Sequence, residues 1–358
     1  QSGFGRTGTV DWQTSIKTGD FTATSGEGYF VNTTSGAITV TLPSSPSAGD
    51  IVSVKDYAMT FDSNNCTIAR NSQPIEGETH DKILSTEGAA VTAVYGDSTK
   101  GWQFVNSNEI TNAPTFITAT GGTITTSGND KIHTFTGPGT FTVCSASNVA
   151  ANNEVSYVVV AGGGGGGNKR AGGGGAGGYR ETKSPVTPYT ASPLDGQPSA
   201  PNRVTVSAQA YPITVGGGGA GGTASGSTCN VGTASASGSN SVFSTITSAG
   251  GGTGGGMSPN AGPNGSGKPG GSGGGGFAGG PPSTPFPAAT AAGNGNDPST
   301  TPAQGNPGGI SRTSPDATGQ AGGGGGAAEA GKAGNDPAGL DGRGGAGVPT
   351  QITGSAVS

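Results

Sequence analysis

The side chains best suited to chemistry lie close together in the first quarter of the chain. His80 is followed by Asp81, with Glu76 and Glu78 shortly before it, and imidazole with carboxylates can bind a metal ion or transfer protons. A metal site needs several converging ligands, and a nucleophilic site needs a base beside its nucleophile. The sequence has neither pattern, and an exposed polar loop accounts for the same residues. We therefore predict no catalytic residue, no metal site and no cofactor, in a protein that is not an enzyme.

Glycoside hydrolysis is a further chemistry that the acidic residues bring to mind, because it needs two carboxylates in a cleft. Asp50 with Asp56 and Glu76 with Glu78 are the nearby acidic pairs of the N-terminal part, and turn and surface positions account for them. His133 lies within an alternating strand pattern, and we expect its side chain on the solvent face.

The chain that must position any site changes character near residue 161. Of its 75 glycines, 17 precede Ala161 and 58 follow, whereas most of the aromatic residues precede it. The first part can therefore build cores of large side chains, and the second part must be ordered in another way. Glycine blocks recur there at 162–167, 172–178, 216–222, 250–256, 270–280, 322–326 and 342–347.

Four structures compete for these glycine blocks. Collagen requires glycine at every third position, which unbroken runs violate. A nucleotide-binding loop requires a helix after the glycines, and Asn168-Lys169-Arg170 does not open one. A flexible linker remains open. The fourth is an array of polyglycine type-II helices, which have three residues per turn and whose outward N–H and C=O groups must pair with neighbouring helices. Recurring blocks separated by segments of loop length favour the array.

Strand patterns occupy the first part of the chain. Ile38, Val40 and Leu42 alternate with smaller residues, and Pro43 ends the run. We predict a mostly β protein with almost no α-helix: two small antiparallel β-modules, then packed polyglycine type-II helices with long irregular loops. The predicted domains are an N-terminal β-module, a second β-module and a glycine-rich domain, at 1–110, 111–160 and 161–358.

Composition excludes some partners. Charged residues make up only 10% of the chain, its net charge is −5 and it has no basic cluster, so we expect no nucleic-acid partner. It has no apolar run long enough to cross a bilayer, and we expect no membrane insertion. Cys66, Cys144 and Cys229 predict one buried thiol per module, with a single disulfide left open. Because the chain begins with Gln1 rather than Met, we expect a processed chain or a piece of a longer one.

Several segments together resemble a known family. The glycine runs with their flanking tyrosines and valines resemble the glycine-rich domain of bacteriophage tail-fibre and virion proteins, and a strand pair before them is similar to the module that usually leads into it. The N-terminal part is similar to a short β-module of marine phage fibre proteins. The segments concerned are 157–167, 172–179 and 211–222, then 131–143, then 29–43 with 49–52.

The domain also resembles the polyglycine-sandwich adhesins of some long tail fibres. That resemblance implies that glycine blocks form the scaffold and that the loops between them contact a host receptor. Tyrosine and arginine are good contact residues, so the candidate receptor-binding residues are Tyr179, Arg180, Lys183, Tyr189, Arg203, Phe286 and Arg312. The alternative is that Tyr179 caps a glycine block and that the others lie in solvated loops.

The resemblance implies a structural component of a phage virion appendage, a tail fibre or capsid fibre involved in host attachment. Its implied partners are further copies of the chain in a homo-oligomer such as a trimer, other virion proteins, and a host receptor that is a glycan or an outer-membrane protein. Its implied location is the virion or the extracellular space. The alternative is a cellular extracellular filament or surface-coat subunit without a receptor role.

Overall fold

The computed structural model describes residues 10–106, 110–223, 233–256, 265–278, 290–312, 319–334 and 341–356. Within these ranges the chain forms many short strands and two 3₁₀ turns, Ala150–Asn153 and Ala200–Asn202, and no α-helix. The prediction of a mostly β protein is confirmed. Contacts divide the chain into two compact units, Gln1–Pro114 and Thr115–Ser358.

The first unit has two five-stranded sheets that share one hydrophobic core. Alternating residues point into this core: Ile38 and Val40 are buried as the period of two predicted, and Leu42 is buried just beyond them. The described strands are β1 Asp11–Trp12, β2 Phe21–Thr22, β3 Glu27–Val31, β4 Ile38–Thr41, β5 Ile51–Asp56, β6 Cys66–Ala69, β7 Lys82–Leu84, β8 Ala90–Tyr95, β9 Trp102–Phe104 and β10 Ile110–Asn112.

Strand direction in this unit corrects the prediction of antiparallel modules. The sheet orders are β1-β3-β5-β8-β9 and β10-β7-β6-β4-β2. Strands β1, β3 and β5 run parallel, and so do β2, β4 and β6; the remaining pairs are antiparallel. The reason is that the chain crosses between the sheets after each of β1 to β5. Neighbours in one sheet are therefore two strands apart in sequence and are not joined by hairpins, which only antiparallel strands allow.

The second unit contains a five-stranded sheet of order β11-β14-β19-β20-β21 and three strand pairs, β12–β13, β15–β18 and β16–β17. Strand β14 pairs with β19, which follows it by about 70 residues, so the strands between 115 and 160 belong to this unit rather than to a separate body. Its strands are β11 Thr118–Thr120, β12 Thr123–Ser127, β13 Asp130–Thr134, β14 Gly139–Ser145, β15 Glu154–Val155, β16 Tyr157–Val160, β17 Tyr179–Thr182, β18 Val204–Thr205, β19 Ala210–Thr214, β20 Ser241–Phe243 and β21 Ile246–Ser248.

The glycine blocks form the predicted polyglycine type-II array. In most segments, the backbone N–H groups that bond one neighbour are three residues apart, as at Gly172, Gly175 and Gly178, which donate to the carbonyls of Gly255, Gly252 and Ala249. A three-residue repeat of bonds between segments is the signature of this helix. Within the described ranges we number the segments I to XII: 161–167, 172–178, 216–222, 236–240, 249–256, 265–268, 270–278, 290–296, 304–311, 321–326, 329–334 and 342–347.

Helix VII, residues 270–278, lies at the centre of this array. Its backbone exchanges hydrogen bonds with six surrounding segments, II, V, VI, VIII, IX and X. The N–H groups of Ser272 and Gly275 bond helix II. Those one residue further along bond helix IX and those two residues further along bond helix VI, because three residues per turn direct successive N–H groups to three sides. In order along the chain, the N–H groups of residues 271–277 donate to the carbonyl oxygens of residues 250, 176, 306, 268, 173, 309 and 265. The arrangement is hexagonal packing of backbones.

Glycine is required inside this packing for steric reasons. A Cβ atom built on Gly274 would overlap the carbonyl oxygen of Thr253, and one built on Gly275 would overlap that of Gly322. At the edge the requirement disappears: a Cβ on Gly217 in helix III would meet nothing within 4 Å. Close backbone approach is therefore what selects glycine at the interior positions.

Candidate functional site

Tyr179 lies where helix II ends and β17 begins, at one end of the array. Its N–H donates to the carbonyl of Gln304 at 2.8 Å, and its side chain is buried. The Gln304 side chain, fully buried, accepts from the N–H of Ala249 at 2.8 Å. Helices II, V and IX are thus tied together at this end, and Tyr179 occupies the capping position that was the alternative to a contact role.

Glu181 is a buried carboxylate beneath the loop that follows. It accepts hydrogen bonds from the hydroxyls of Tyr179 at 2.7 Å, Tyr189 at 3.2 Å and Thr350 at 2.6 Å, and from the N–H of Ser192 at 2.9 Å. Four donors replace the water that a buried charge loses. Burial, together with this carboxylate, raises the pKa of both tyrosines. The cluster fastens residues 179–192 to the C-terminal segment.

Arg180 and Asn202 form a second junction of the same loop. The Arg180 guanidinium donates to Asn202 Oδ1 at 2.6 Å, and Asn202 Nδ2 donates to the carbonyl of Thr301 at 2.8 Å. The buried Tyr157 hydroxyl donates to the Asn202 carbonyl at 2.6 Å. Arg180 is therefore engaged within the molecule and only half-exposed.

Arg203 is exposed, whereas Lys183 and Tyr189 are half-buried, as Arg180 is. The Lys183 ammonium lies 5.9 Å from the centre of the Tyr189 ring, a cation–π contact. Arg203 is exposed and its guanidinium lies 3.5 Å from Glu154 Oε2. These three residues and Tyr179 and Arg180 come together around the loop 179–203.

Arg312 does not join this group. It follows helix IX, whose other end is Gln304 beside Tyr179, and eight residues at about 3.1 Å rise separate the two by roughly 25 Å. Arg312 is exposed and forms a bridge with Gln320. The last candidate, Phe286, lies outside the described residues.

The acidic cluster around His80 is tied to a lysine. Lys82 is buried, and its Nζ lies 2.7 Å from Glu78 Oε2 and 3.8 Å from Glu76 Oε2. Asp81 Oδ1 accepts the N–H of Arg70 at 2.8 Å. No three His, Cys, Asp or Glu side chains converge to hold a metal in the part of the chain that the structure describes.

The expected solvent position of His133 is wrong. Its ring is half-buried and packs edge-on against Phe141, with 5.0 Å between centres, and its Nδ1 lies 2.8 Å from the carbonyl oxygen of Gly121. The hairpin β12–β13 has one face against the neighbouring sheet, and His133 lies on that face. The alternation correctly indicates a strand, but its phase places this side chain on the opposite side from the one expected.

The expectation of one buried thiol per module holds for one of the two described cysteines. Cys66 is buried in the first core, and burial raises the pKa of its thiol to about 12. Cys144 is exposed, contrary to the expectation, because it lies near the end of β14 on its outer side. Both thiols are free; Cys229 lies outside the described residues.

A groove that the sequence did not indicate lies beside β13 and β14. It has a volume of about 430 Å³ and is formed by residues 121–123 and 134–140. Phe135 is its aromatic residue, and the other lining residues are four threonines, four glycines and Pro138. The sequence signal is the run of threonines that alternate with Gly-Gly and Gly-Pro-Gly, a pattern that by itself indicates only strands and turns.

No helix able to cross a membrane occurs in the described ranges. Comparison with curated proteins finds none that matches the sequence. Residues 136–357 match the family described as a glycine-rich domain. This match covers more than half of the chain and includes the whole described array of glycine helices together with the loops between them. The chain therefore belongs to the glycine-rich domain family.

Proposed function

We propose that the chain is a structural component of a bacteriophage virion appendage, a tail fibre or capsid fibre, with a part in host attachment. The observation that carries the proposal is the array of glycine helices, closed at one end by the hydrogen-bonded loop 179–203. A scaffold bonded through its backbone leaves the side chains of the connecting loops free for recognition, and binding residues are concentrated on loops held by rigid scaffolds.

The resemblance to phage fibre proteins supports the same function, and so does the glycine-rich family. On this proposal the partners are further copies of the chain, other virion proteins and a host surface receptor. The protein is not an enzyme and is located on the virion. Within the loop, Lys183, Tyr189 and Arg203 are the proposed contact residues, because Arg203 is exposed and Lys183 lies over the ring of the half-buried Tyr189. Tyr179 is buried, and Arg180 is bonded to the buried Asn202.

Cryo-electron microscopy of the native assembly tests the proposal. Gold-labelled antibody against the first unit should mark discrete fibres or knobs on capsids or tails, in a fixed number per particle. Particles grown without the gene provide the control. A continuous polymer that forms without particles would instead identify a cellular filament subunit, which is the second candidate function.

Receptor contact by the loop is tested separately. The triple variant Lys183→Ser, Tyr189→Ser, Arg203→Ser should reduce adsorption of phage to host cells, while particles still assemble. A matched variant on a distant exposed position, Arg343→Ser, should adsorb normally. Unchanged adsorption of the triple variant would remove the loop from host recognition without affecting the structural role.

A further inference from the structure

The groove beside β13 and β14 has the chemistry of a small binding site. Thr123, Thr134, Thr136 and Thr140 surround Phe135, and all four threonines are exposed. Their hydroxyls form no hydrogen bond with any residue that the structure describes. By contrast, the hydroxyl of the nearby Thr118 is engaged with Ser145 at 2.6 Å. Four exposed threonines without internal hydroxyl partners therefore line the same groove as one aromatic residue.

Glycine backbone shapes the groove around the Phe135 ring. A Cβ on Gly122 would lie 3.1 Å from the ring's Cε2 and Cζ, and one on Gly139 would lie 3.1 Å from its Cδ1. Gly121 and Gly122 have φ angles of +107° and +66°, which side chains other than glycine adopt rarely. These positions bring glycine backbone against part of the ring, while the Phe135 side chain as a whole stays half-exposed.

The residues of the groove are held in place by the second hydrophobic core and by a hydrogen-bonding contact of His133. Phe135 packs against the second core, so that its ring is half-buried. The contact of His133 Nδ1 with the Gly121 carbonyl joins the hairpin to the turn that forms the groove wall. A site whose aromatic group is already held in place loses little conformational entropy when it binds.

None of the residues that line the groove carries a charge. A phosphate, carboxylate or ammonium group would find no counter-charge among these residues. A neutral pyranose ring has the complementary chemistry: an apolar C–H face that can lie on an aromatic ring, and a rim of hydroxyls that exchange hydrogen bonds with threonine. The volume of about 430 Å³ is within the range of small-molecule sites.

We propose that this groove binds a neutral sugar ring, with Phe135 as the stacking surface and Thr123, Thr134, Thr136 and Thr140 as hydrogen-bonding partners. The inference rests on the proposed function in host attachment and names the class of receptor, a neutral glycan. It places a contact site in the β-rich part of the second unit, apart from the loop 179–203.

Saturation-transfer NMR on the full chain tests the site, with the methyl glycosides of glucose, galactose, mannose and N-acetylglucosamine as probes and sialic acid as the charged comparison. At least one neutral glycoside should receive saturation, and sialic acid should not. Phe135→Leu keeps an apolar side chain in the core but removes the ring, and should weaken binding about tenfold. Thr136→Val removes one hydroxyl without changing shape, and should weaken it several-fold.

The matched control is Thr126→Val, which changes an exposed threonine of the same hairpin outside the groove. It should bind as the unchanged chain does. The inference is overturned if no neutral glycoside receives saturation, if sialic acid binds equally well, or if the control loses as much affinity as Thr136→Val. Sugar binding by a chain that is absent from virions would refute the proposed function alone, whereas a virion chain without sugar binding would refute only this inference.

Discussion

The first unit and the glycine array of the second unit are stabilised by different parts of the polypeptide: side chains in the first unit and backbone in the array. In the first unit, large side chains such as Trp102, Phe61 and Ile68 fill the space between two sheets. In the array, helix VII has backbone on all six sides, and at Gly274 and Gly275 no larger residue fits. The first unit depends on side chains that fill its core, and the array depends on the absence of side chains between its helices. The second unit also has a side-chain core, around Phe141 and Tyr211, outside the array. Burial of apolar area stabilises the first unit, and hydrogen bonds between neighbouring helices pair the backbone N–H and C=O groups of the array.

The largest loss of stability is expected when a single methyl group is added inside the array. Gly274→Ala places a Cβ against the Thr253 carbonyl, and separation of the two helices would break several backbone hydrogen bonds. We expect a loss of more than about 3 kcal/mol in the unfolding free energy of the second unit. Denaturant unfolding followed by circular dichroism measures it, because the two units should give separate transitions.

The control for this variant is Gly217→Ala, the same change in helix III where the added atom meets nothing within 4 Å. It should alter the unfolding free energy by less than about 1 kcal/mol, and in the stabilising direction if the backbone angles suit alanine. Equal losses from the two variants would show that glycine's flexibility, rather than close backbone approach, matters in the array.

The first unit should respond to the opposite change. Ile68→Ala removes side-chain atoms from a residue that is 1% exposed, and we expect a loss of about 3 kcal/mol from the first transition alone. Ile68→Val should cost only about 1 kcal/mol. A first unit that tolerated alanine here would not be held together by its core, and a shift of the second transition would show that the two units are energetically coupled.

A smaller loss of stability is expected at the Glu181 cluster, where side-chain hydrogen bonds close one end of the array. Glu181→Gln turns one acceptor oxygen of the buried cluster into a donor that faces other donors, and we expect a loss of about 2 kcal/mol in the second transition. Thr350→Val removes a single donor and should cost about 1 kcal/mol. In the double variant the losses should not add, since both changes affect one hydrogen bond. Additive losses would mean that the two residues act separately.

The smallest expected effect is a dependence on alkaline pH. The pKa values of Tyr179 and Tyr189 are raised by burial and by Glu181, so the folded state keeps protons that the unfolded state releases. Their contribution is fully present below the ordinary tyrosine pKa of about 10 and is lost as pH rises beyond it. The second transition should weaken as pH rises from about 9 to about 11, as two denaturation series would measure, and Tyr189→Phe should reduce that weakening. A pH response unchanged by Tyr189→Phe would contradict this assignment.

Local patterns predicted the elements of both units, because these depend on neighbouring residues. The alternation of Ile38, Val40 and Leu42 indicated a strand with a buried face, and the runs of glycine indicated three-residue helices. Neighbour relations were not predictable in the same way. The parallel strand pairs follow from the path of the chain between two sheets, and the central place of helix VII follows from the order in which twelve similar segments of the described chain stack.

The candidate site depends on such distant relations even more. Tyrosine is a typical contact residue, but the Tyr179 hydroxyl is bonded to Glu181 inside the molecule. Glu181 is also bonded by Thr350, which lies 169 residues further along the chain. The groove at Phe135 is formed by glycines whose positive φ angles leave no clear mark in a sequence already rich in glycine. Composition therefore did not indicate where in the folded chain these residues lie.

The central position of helix VII has a mechanical consequence. Its hydrogen bonds run across its axis to all six neighbours, so a pull along that axis loads them together in shear and cannot open them one after another. A strand at the edge of a sheet, peeled from one end, offers only one bond at a time to the force. The array is thus suited to bearing tension along its glycine helices, and a fibre anchored through it would transmit load from a surface without unravelling.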